Sequence, residues 1–117
     1  MEFKYTATIK QVYDGDTITI DLDLGFYIHV FNQKFRLLYV DAPEIRGKSK
    51  TLGIASRDAL RDKILGKEVI IQTFKDSKDK YGRWLCEIFL DGENINQWLI
   101  DNGHATQYPE DLKLLNK

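Results

Sequence analysis

Three short stretches of this sequence combine carboxylates, which could bind a metal ion, with basic side chains, which could bind a phosphate. They read DGDT at 14–17, RLLYVDAPE at 36–44 and DKYGR at 79–83. Each stretch stands at the end of a predicted strand, where irregular backbone can present polar groups outward. Each motif taken alone is a weak signal, so the interpretation depends on whether the three stretches meet in the fold.

The first stretch places Asp14 and Asp16 on either side of Gly15. Asp-Gly is the commonest signal for a tight hairpin, so a turn alone explains the first two residues. A calcium loop of the helix–loop–helix kind does not fit, because Ile18 takes a position that needs an oxygen ligand. The glycine and the terminal glutamate of that loop are also missing. If Asp16 binds a metal, its partners must come from elsewhere in the chain.

The second stretch offers such partners. Asp41 follows an apolar strand end, and Glu44 lies three residues further on. Carboxylates from two strand ends can hold a hard cation such as Ca²⁺, which would neutralise and polarise a phosphate. A nearby glutamate could deprotonate water, and arginines suit the charge that spreads over phosphorus. In a regular strand Arg36 would face away from Asp41, so a bend or bulge is needed. A solvated turn remains the simpler interpretation of Asp41 and Glu44 alone.

The elements that must position these residues follow from hydrophobic periodicity. Alternating apolar and polar residues predict two strands near the N-terminus and a long or broken third strand, which bends at Asn32. The segment 44–53 is predicted to be a loop, and Gly66 and Gly103 suit helix ends. The predicted elements are strands at 3–9, 18–24, 26–40, 67–74 and 83–90, and helices at 54–65, with Ile54, Ala55, Ala59, Leu60 and Ile64 as its apolar positions, and at 95–102.

This order of elements predicts an α+β fold that is mainly β. It corresponds to a five-stranded OB-fold barrel with a helix between strands three and four and a short helix after strand five. The length of 117 residues suits a single domain over residues 1–117. Cys86, the single cysteine, is expected in the core, as are Trp84 and Trp98.

Charge is distributed unevenly along the chain although the net charge is −1. Residues 42–83 carry eleven Lys or Arg against six Asp or Glu, an excess of +5, and the rest carries six against twelve, an excess of −6. Such asymmetry can place a basic face beside an acidic pocket, although ordinary solvated faces explain it equally well. No apolar run is long enough to span a bilayer, and the N-terminus lacks a signal-peptide core.

Together the three stretches resemble the staphylococcal nuclease (thermonuclease) family over about residues 5–105. The pattern of that family is an acidic DGDT turn, an Arg-containing strand ending in V-D-x-P-E, and D-K-Y-G-R. All three occur here in that order and spacing. The resemblance implies a Ca²⁺-dependent nuclease that cleaves DNA and RNA at the 5′-oxygen and leaves 3′-phosphate ends.

The resemblance also assigns roles to residues. Asp16 and Asp41 would bind Ca²⁺ through their carboxylates, and Ala42 would bind it through its main-chain carbonyl. Glu44 would act as the general base or orient the attacking water. Ala42 replaces the threonine common in the family, which preserves the carbonyl ligand but removes a hydroxyl.

The remaining implied roles concern the substrate. Arg36 and Arg83 would grip the scissile phosphate and stabilise the five-coordinate transition state. Lys80 and Tyr81 would contact the neighbouring phosphate, and Tyr108 is a candidate to replace a base-stacking tyrosine of the family. Because phosphate contacts carry no sequence code, little base preference is expected.

Expected partners are DNA and RNA, with single strands preferred, and the chain is expected to be a monomer that does not bind membranes. The missing signal peptide predicts a cytoplasmic protein unless processing removed one, since family members are often secreted. Residues 22–35 look longer than in the family and predict an extended hairpin. Two alternatives stay open: a non-catalytic OB-fold module that binds single strands or a protein, and a fragment of a chromatin- or RNA-associated protein.

Overall fold

A computed structural model describes residues 3–75 and 83–116. The strands are β1 (Lys4–Asp14), β2 (Thr17–Asp23), β3 (His29–Leu37), β4 (Val40–Asp41), β5 (Glu68–Phe74), β6 (Trp84–Leu90), β7 (Glu93–Asn94) and β8 (Thr106–Gln107). The α-helices are α1 (Lys50–Ile64) and α2 (Ile95–Asp101), and short 3₁₀ segments span Gly47–Ser49 and Pro109–Asn116.

Five long strands close into a barrel. β1 pairs antiparallel with β2 and β5, β2 pairs with β3, and β5 pairs with β6. Closure comes from a parallel pairing of β3 with β6, which sets Phe35 opposite Trp84 and Leu37 opposite Cys86. Helix α1 lies in the chain between the third and fourth long strands, and α2 follows the fifth. The predicted OB-fold barrel is therefore confirmed.

Alternation along the strands builds the barrel interior, as the sequence indicated. On β2, Ile18, Ile20 and Leu22 are buried, and the residues between them are partly exposed. Cys86 is fully buried, and burial raises the pKa of its thiol, so it acts as a small apolar residue. The prediction for Trp84 is wrong: it is 45% exposed as the first residue of β6, although the next four residues of that strand are buried.

Helix α1 begins earlier than predicted, and two of its five predicted apolar positions, Leu60 and Ile64, are fully buried. It starts at Lys50, so much of the predicted loop is helical. The buried residues are Gly53, Ser56, Leu60 and Ile64. Small residues at the first two of these positions let the helix approach neighbouring backbone, and a β-carbon built at Gly53 would overlap the carbonyl group of Glu44. None of the helices in the described ranges is both long and apolar enough to span a bilayer.

The hairpin between β2 and β3 is extended, as its length predicted. Pairing continues out to Asp23 opposite His29, with a bulge where Asn32 takes a φ of 58°. At the tip, Phe26 and Tyr27 also have positive φ, and they are 95% and 100% exposed. The tip therefore contributes almost nothing to the barrel interior.

Candidate active site

The DGDT stretch forms the two-residue turn between β1 and β2, in which Asp14 pairs with Thr17. The backbone N–H of Asp16 donates to Asp14 Oδ1 at 3.0 Å, a local bond that favours the turn. A β-carbon built at Gly15 would lie 2.6 Å from Ala42 Cβ and would overlap Ser56 Oγ. Glycine is therefore needed because strand end β4 and helix α1 press against the turn.

The Asp16 carboxylate faces the second stretch. Its Oδ2 accepts the backbone N–H of Ala42 at 3.0 Å, and its Oδ1 accepts the Thr17 hydroxyl at 3.1 Å. The pKa of Asp16 is raised to about 7, mainly by burial and additionally by the hydrogen bond and negative charge of Asp14. A cation beside this carboxylate would favour its charged form and oppose that shift.

Arg36 reaches the same place because the chain bends between β3 and β4. Leu38 and Tyr39 form a turn, and Tyr39 has a φ of 53°. The bend lets Arg36 Nη2 donate to the carbonyl of Val40 at 3.0 Å. Its positive charge also acts on Asp16, where it lowers the pKa against the effect of burial. The bend that the sequence required for Arg36 is thus present.

Arg83 lies just before β6, the strand that pairs in parallel with β3. Its Nη1 donates to the Thr17 hydroxyl at 3.2 Å, and that hydroxyl donates to Asp16. One threonine thereby connects an arginine with the acidic turn. Lys80 and Tyr81, predicted to contact a neighbouring phosphate, lie outside the described residues, and their roles stay predictions.

A groove with a volume of about 460 Å³ runs beside the two exposed acids, Asp41 and Glu44. Its lining residues are Asp41, Ala42, Pro43 and Glu44 on one side and Gly103, His104, Ala105 and Thr106 on the other. The second set leads into strand β8, in which Thr106 pairs with Asp41. The backbone carbonyl of Glu44 packs closely against Gly53 of helix α1.

Tyr108 stands next to Arg36 instead of standing free. The Arg36 guanidinium carbon lies 5.0 Å from the centre of the Tyr108 ring. The Tyr108 hydroxyl donates to Glu110 at 3.2 Å, and this bond raises the pKa of Tyr108. One ring face is therefore used within the protein, and a base-stacking role for the other face stays a prediction.

Sequence reasoning missed three contributors to this site. Thr17 belongs to the DGDT motif, and its hydroxyl next to Asp16 in the sequence could have indicated the hydrogen bond between them. Gly53 was interpreted as a loop residue, although a glycine inside a helical pattern often marks close packing. Asp111, which contacts Arg36, gave no local signal at all.

The oxygen donors at this site decide which metal ion it could hold. In the ranges 3–75 and 83–116 no group of three or more His, Cys, Asp or Glu side chains is close enough to hold a metal ion. The available donors are the half-buried Asp16 carboxylate, the exposed Asp41 carboxylate, and main-chain carbonyls. Oxygen-only donors in this number fit a hard cation that keeps several waters, and they do not fit zinc.

The fold and the convergence of acids and arginines define a nuclease-type OB-fold domain. The chain belongs to the family of staphylococcal nuclease homologues, whose sequence model matches residues 34–115. It is 32% identical over 107 residues to an uncharacterized endonuclease of Haemophilus influenzae, covering 92% of this chain and 54% of that protein. It is also 32% identical over 110 residues to the thermonuclease of Staphylococcus intermedius, covering 90% of this chain and 62% of that protein.

A third relative is the endonuclease YncB of Bacillus subtilis, which is 31% identical over 106 residues, covering 85% of this chain and 46% of that protein. The chain therefore spans about half the length of the curated relatives that it matches. The predicted family is confirmed.

Proposed function

We propose that this chain is a calcium-dependent, sugar-nonspecific nuclease that hydrolyses phosphodiester bonds of DNA and RNA at the 5′-oxygen. The observation that carries the proposal is the contact of Asp16 Oδ2 with the N–H of Ala42. This contact brings the acidic turn to the strand end that carries Asp41, beside both arginines. A cation, a phosphate and a water could thus meet within one small region.

The residues that would hold the cation are Asp16, Asp41 and the carbonyl of Ala42. When bound there, Ca²⁺ would neutralise phosphate charge and polarise a phosphoryl oxygen. Asp16 suits this role because its raised pKa reflects a buried negative charge that lacks sufficient compensation. Asp41 is exposed at the groove and can approach a cation without reorganising the barrel.

The remaining residues would act on the water and the phosphate. Glu44, exposed at the groove, would take a proton from the attacking water. The bond between the water oxygen and phosphorus forms as the bond from phosphorus to the 5′-oxygen breaks, and solvent protonates the leaving oxygen. Arg36 and Arg83 would stabilise the charge that develops on the phosphoryl oxygens, since planar guanidinium groups match phosphate geometry.

The substrate class is part of the same proposal. Contacts from arginines to a phosphate involve neither the base nor the 2′-hydroxyl, which supports action on both DNA and RNA. A groove beside Glu44 is open to solvent and accepts a flexible single strand more readily than a stiff duplex. We accordingly propose that single strands are preferred. Because the proposed site is built from residues of one chain, we also propose that the monomer is the active form.

The experiment is digestion of an end-labelled single-stranded DNA oligonucleotide, with Ca²⁺ and then with EDTA, followed by analysis of the product ends. We expect cleavage only with Ca²⁺, and products that carry 3′-phosphates. Products with 5′-phosphates would contradict the proposed bond. Absence of cleavage, with Ca²⁺ and oligonucleotide still binding, would instead identify a non-catalytic OB-fold module.

Calorimetry tests the cation site without relying on activity. Asp16→Ala is expected to weaken Ca²⁺ binding, because it removes the half-buried carboxylate. Asp62→Ala, which removes an exposed acid from helix α1, is the matched control and should bind Ca²⁺ like the parent protein. Equal Ca²⁺ affinity in all three proteins would show that Asp16 is not a ligand of the metal ion.

A further inference from the structure

Asp111 is an acidic residue buried in the C-terminal 3₁₀ segment, with 6% of its side chain exposed. Its Oδ2 accepts two hydrogen bonds, from Arg36 Nη1 at 3.0 Å and from the backbone N–H of Tyr39 at 2.9 Å. A buried carboxylate is costly unless it is paired and hydrogen-bonded, and here both conditions are met. The Asp111 carboxylate therefore anchors the end of β3 that carries Arg36 and the turn that follows it.

The guanidinium of Arg36 is fixed from several directions by the same part of the chain. Nη1 donates to Asp111, Nη2 donates to the carbonyl of Val40, and the guanidinium carbon lies over the Tyr108 ring, 5.0 Å from its centre. Guanidinium has five N–H groups in a rigid fork. Within the described part of the chain those two bonds are the ones that Arg36 donates, so three N–H groups are left for a phosphate.

The backbone bend under Arg36 depends on the same contacts. Tyr39, the residue with positive φ, donates its N–H to Asp111 and accepts the N–H of Tyr108 at 2.7 Å. Strained backbone of this kind persists when the surroundings over-determine it. Removing the Asp111 carboxylate thus loosens both the guanidinium and the bend that aims it.

We propose that Asp111 is a positioning residue that holds Arg36 ready for the scissile phosphate. This inference rests on the proposed function, because it assumes that Arg36 acts on the reacting phosphate. The opposite role would be autoinhibition, in which the carboxylate competes with phosphate for Arg36. Two observations favour positioning: only one guanidinium nitrogen is engaged by Asp111, and the carboxylate also carries the Tyr39 N–H.

A double-mutant cycle tests the proposal, with kcat and KM measured on a single-stranded oligonucleotide in Ca²⁺. The variants are Asp111→Ala, Arg36→Ala and the double variant, with Asp62→Ala as the control for loss of an acid. We expect Arg36→Ala to lower kcat about 10²-fold to 10³-fold, by analogy with loss of one oxyanion donor. Asp111→Ala should lower kcat by up to about 10²-fold, the cost of a misplaced group.

The decisive measurement is the kcat of the double variant. If Asp111 acts through Arg36, the double variant should have a kcat within about threefold of Arg36→Ala, because coupled residues are not additive. Fully additive losses would mark Asp111 as a general structural residue and overturn the proposal. A rise in kcat for Asp111→Ala would overturn it in favour of autoinhibition.

Thermal melting of each variant verifies that it is folded. If Asp111→Ala does not fold, Asp111→Asn carries the same cycle, because it keeps the shape and one acceptor oxygen. Parent-like kcat in Asp111→Ala, alongside a large loss in Arg36→Ala, would refute the positioning role alone. Parent-like kcat in Arg36→Ala would refute the assignment of Arg36 in the proposed function, and the role of Asp111 with it.

Discussion

The two ends of the β2–β3 hairpin use strained backbone in different ways. At the barrel end, Tyr39 has a φ of 53° and is buried, and at the tip Tyr27 has a φ of 62° and is fully exposed. Tyr39 is held by distant groups: its N–H bonds Asp111, and its hydroxyl donates to Glu87 at 2.8 Å. The hydrogen bonds of the tip are local, between Leu24 and Ile28 and between Ile28 and Gly25.

The contrast between Tyr39 and Tyr27 indicates which strained backbone conformation is fixed by the fold. A residue in an unfavourable conformation stays there when several tertiary contacts demand it, and such residues cluster at functional sites. The barrel end meets this condition and carries the acids and arginines. The tip has strain without tertiary support, so its conformation is set by the short turn alone.

The largest expected effect is at the barrel end. Glu44→Gln should lower kcat by about 10²-fold to 10⁴-fold, the usual contribution of a general base. Steady-state hydrolysis of an oligonucleotide measures the change. Glu68→Gln, at an exposed position that opens β5, is the matched control. Full activity in Glu44→Gln would remove this residue from the mechanism.

Tyr39→Ser should destabilise the protein by about 3–5 kcal/mol, the usual cost of truncating a buried aromatic residue. It removes a buried ring and leaves Glu87, which is itself buried, with one donor fewer. Urea unfolding monitored by tryptophan fluorescence gives the free energy. A cost near zero would show that the barrel end is no better fixed than the tip.

Gly53→Ala should lower the free energy of unfolding by about 1–3 kcal/mol, the cost of overpacking. Alanine favours a helix by about 1 kcal/mol over glycine, so a purely local effect would have the opposite sign. We expect the overlap with the Glu44 carbonyl to outweigh the gain in helix propensity, because a backbone group cannot move aside as a flexible side chain can. Leu52→Ala, at a position 66% exposed on the same helix, should change stability by less than about 0.5 kcal/mol.

Stability of the metal-free protein should depend on pH through Asp16. Its pKa is raised from 3.8 to about 7, so the folded protein binds this proton more tightly than the unfolded chain. The contribution is fully present below the unfolded pKa, and it is lost as pH rises from about 4 through about 7. Unfolding free energies in EDTA at pH 5 and pH 8 should differ less in Asp16→Asn than in the parent. Equal differences would show that Asp16 titrates normally.

The smallest effect is expected at the tip. Tyr27→Ser should change the free energy of unfolding by less than about 0.5 kcal/mol, because the ring is fully exposed. Turnover of a short oligonucleotide should stay at the parent value. A cost comparable with that of Tyr39→Ser would erase the distinction between the two ends of the hairpin.

Much of the fold was predictable because it rests on short-range patterns. The alternation of Ile18, Ile20 and Leu22 indicated a strand with one buried face, and that face lines the barrel. The start of helix α1 was misjudged because Gly53 and the preceding cations are typical of loops. Gly53 nevertheless lies in the helix, because only a residue without a side chain fits against the carbonyl of Glu44 there.

The candidate site divides in the same way. The motifs around Asp16, Arg36 and Asp41 named the acids and the arginine, and the resemblance gave them roles. Whether the motifs met was decided by barrel closure, which sets Arg83 against Thr17 across 66 positions of sequence. Two positions so far apart share no local pattern, so no periodicity could have paired them.

Local sequence patterns predicted the order of the long strands and the two α-helices, the buried face of β2, and which residue types stand at the strand ends. The tertiary structure decided that Asp111 meets Arg36, 75 positions away, and that Gly15 and Gly53 must lack side chains. The two kinds of feature differ in the sequence distance over which the responsible interactions act. Periodicity and turn chemistry act within a few residues, whereas pairing a buried charge and excluding overlap depend on atoms that only the closed barrel brings together.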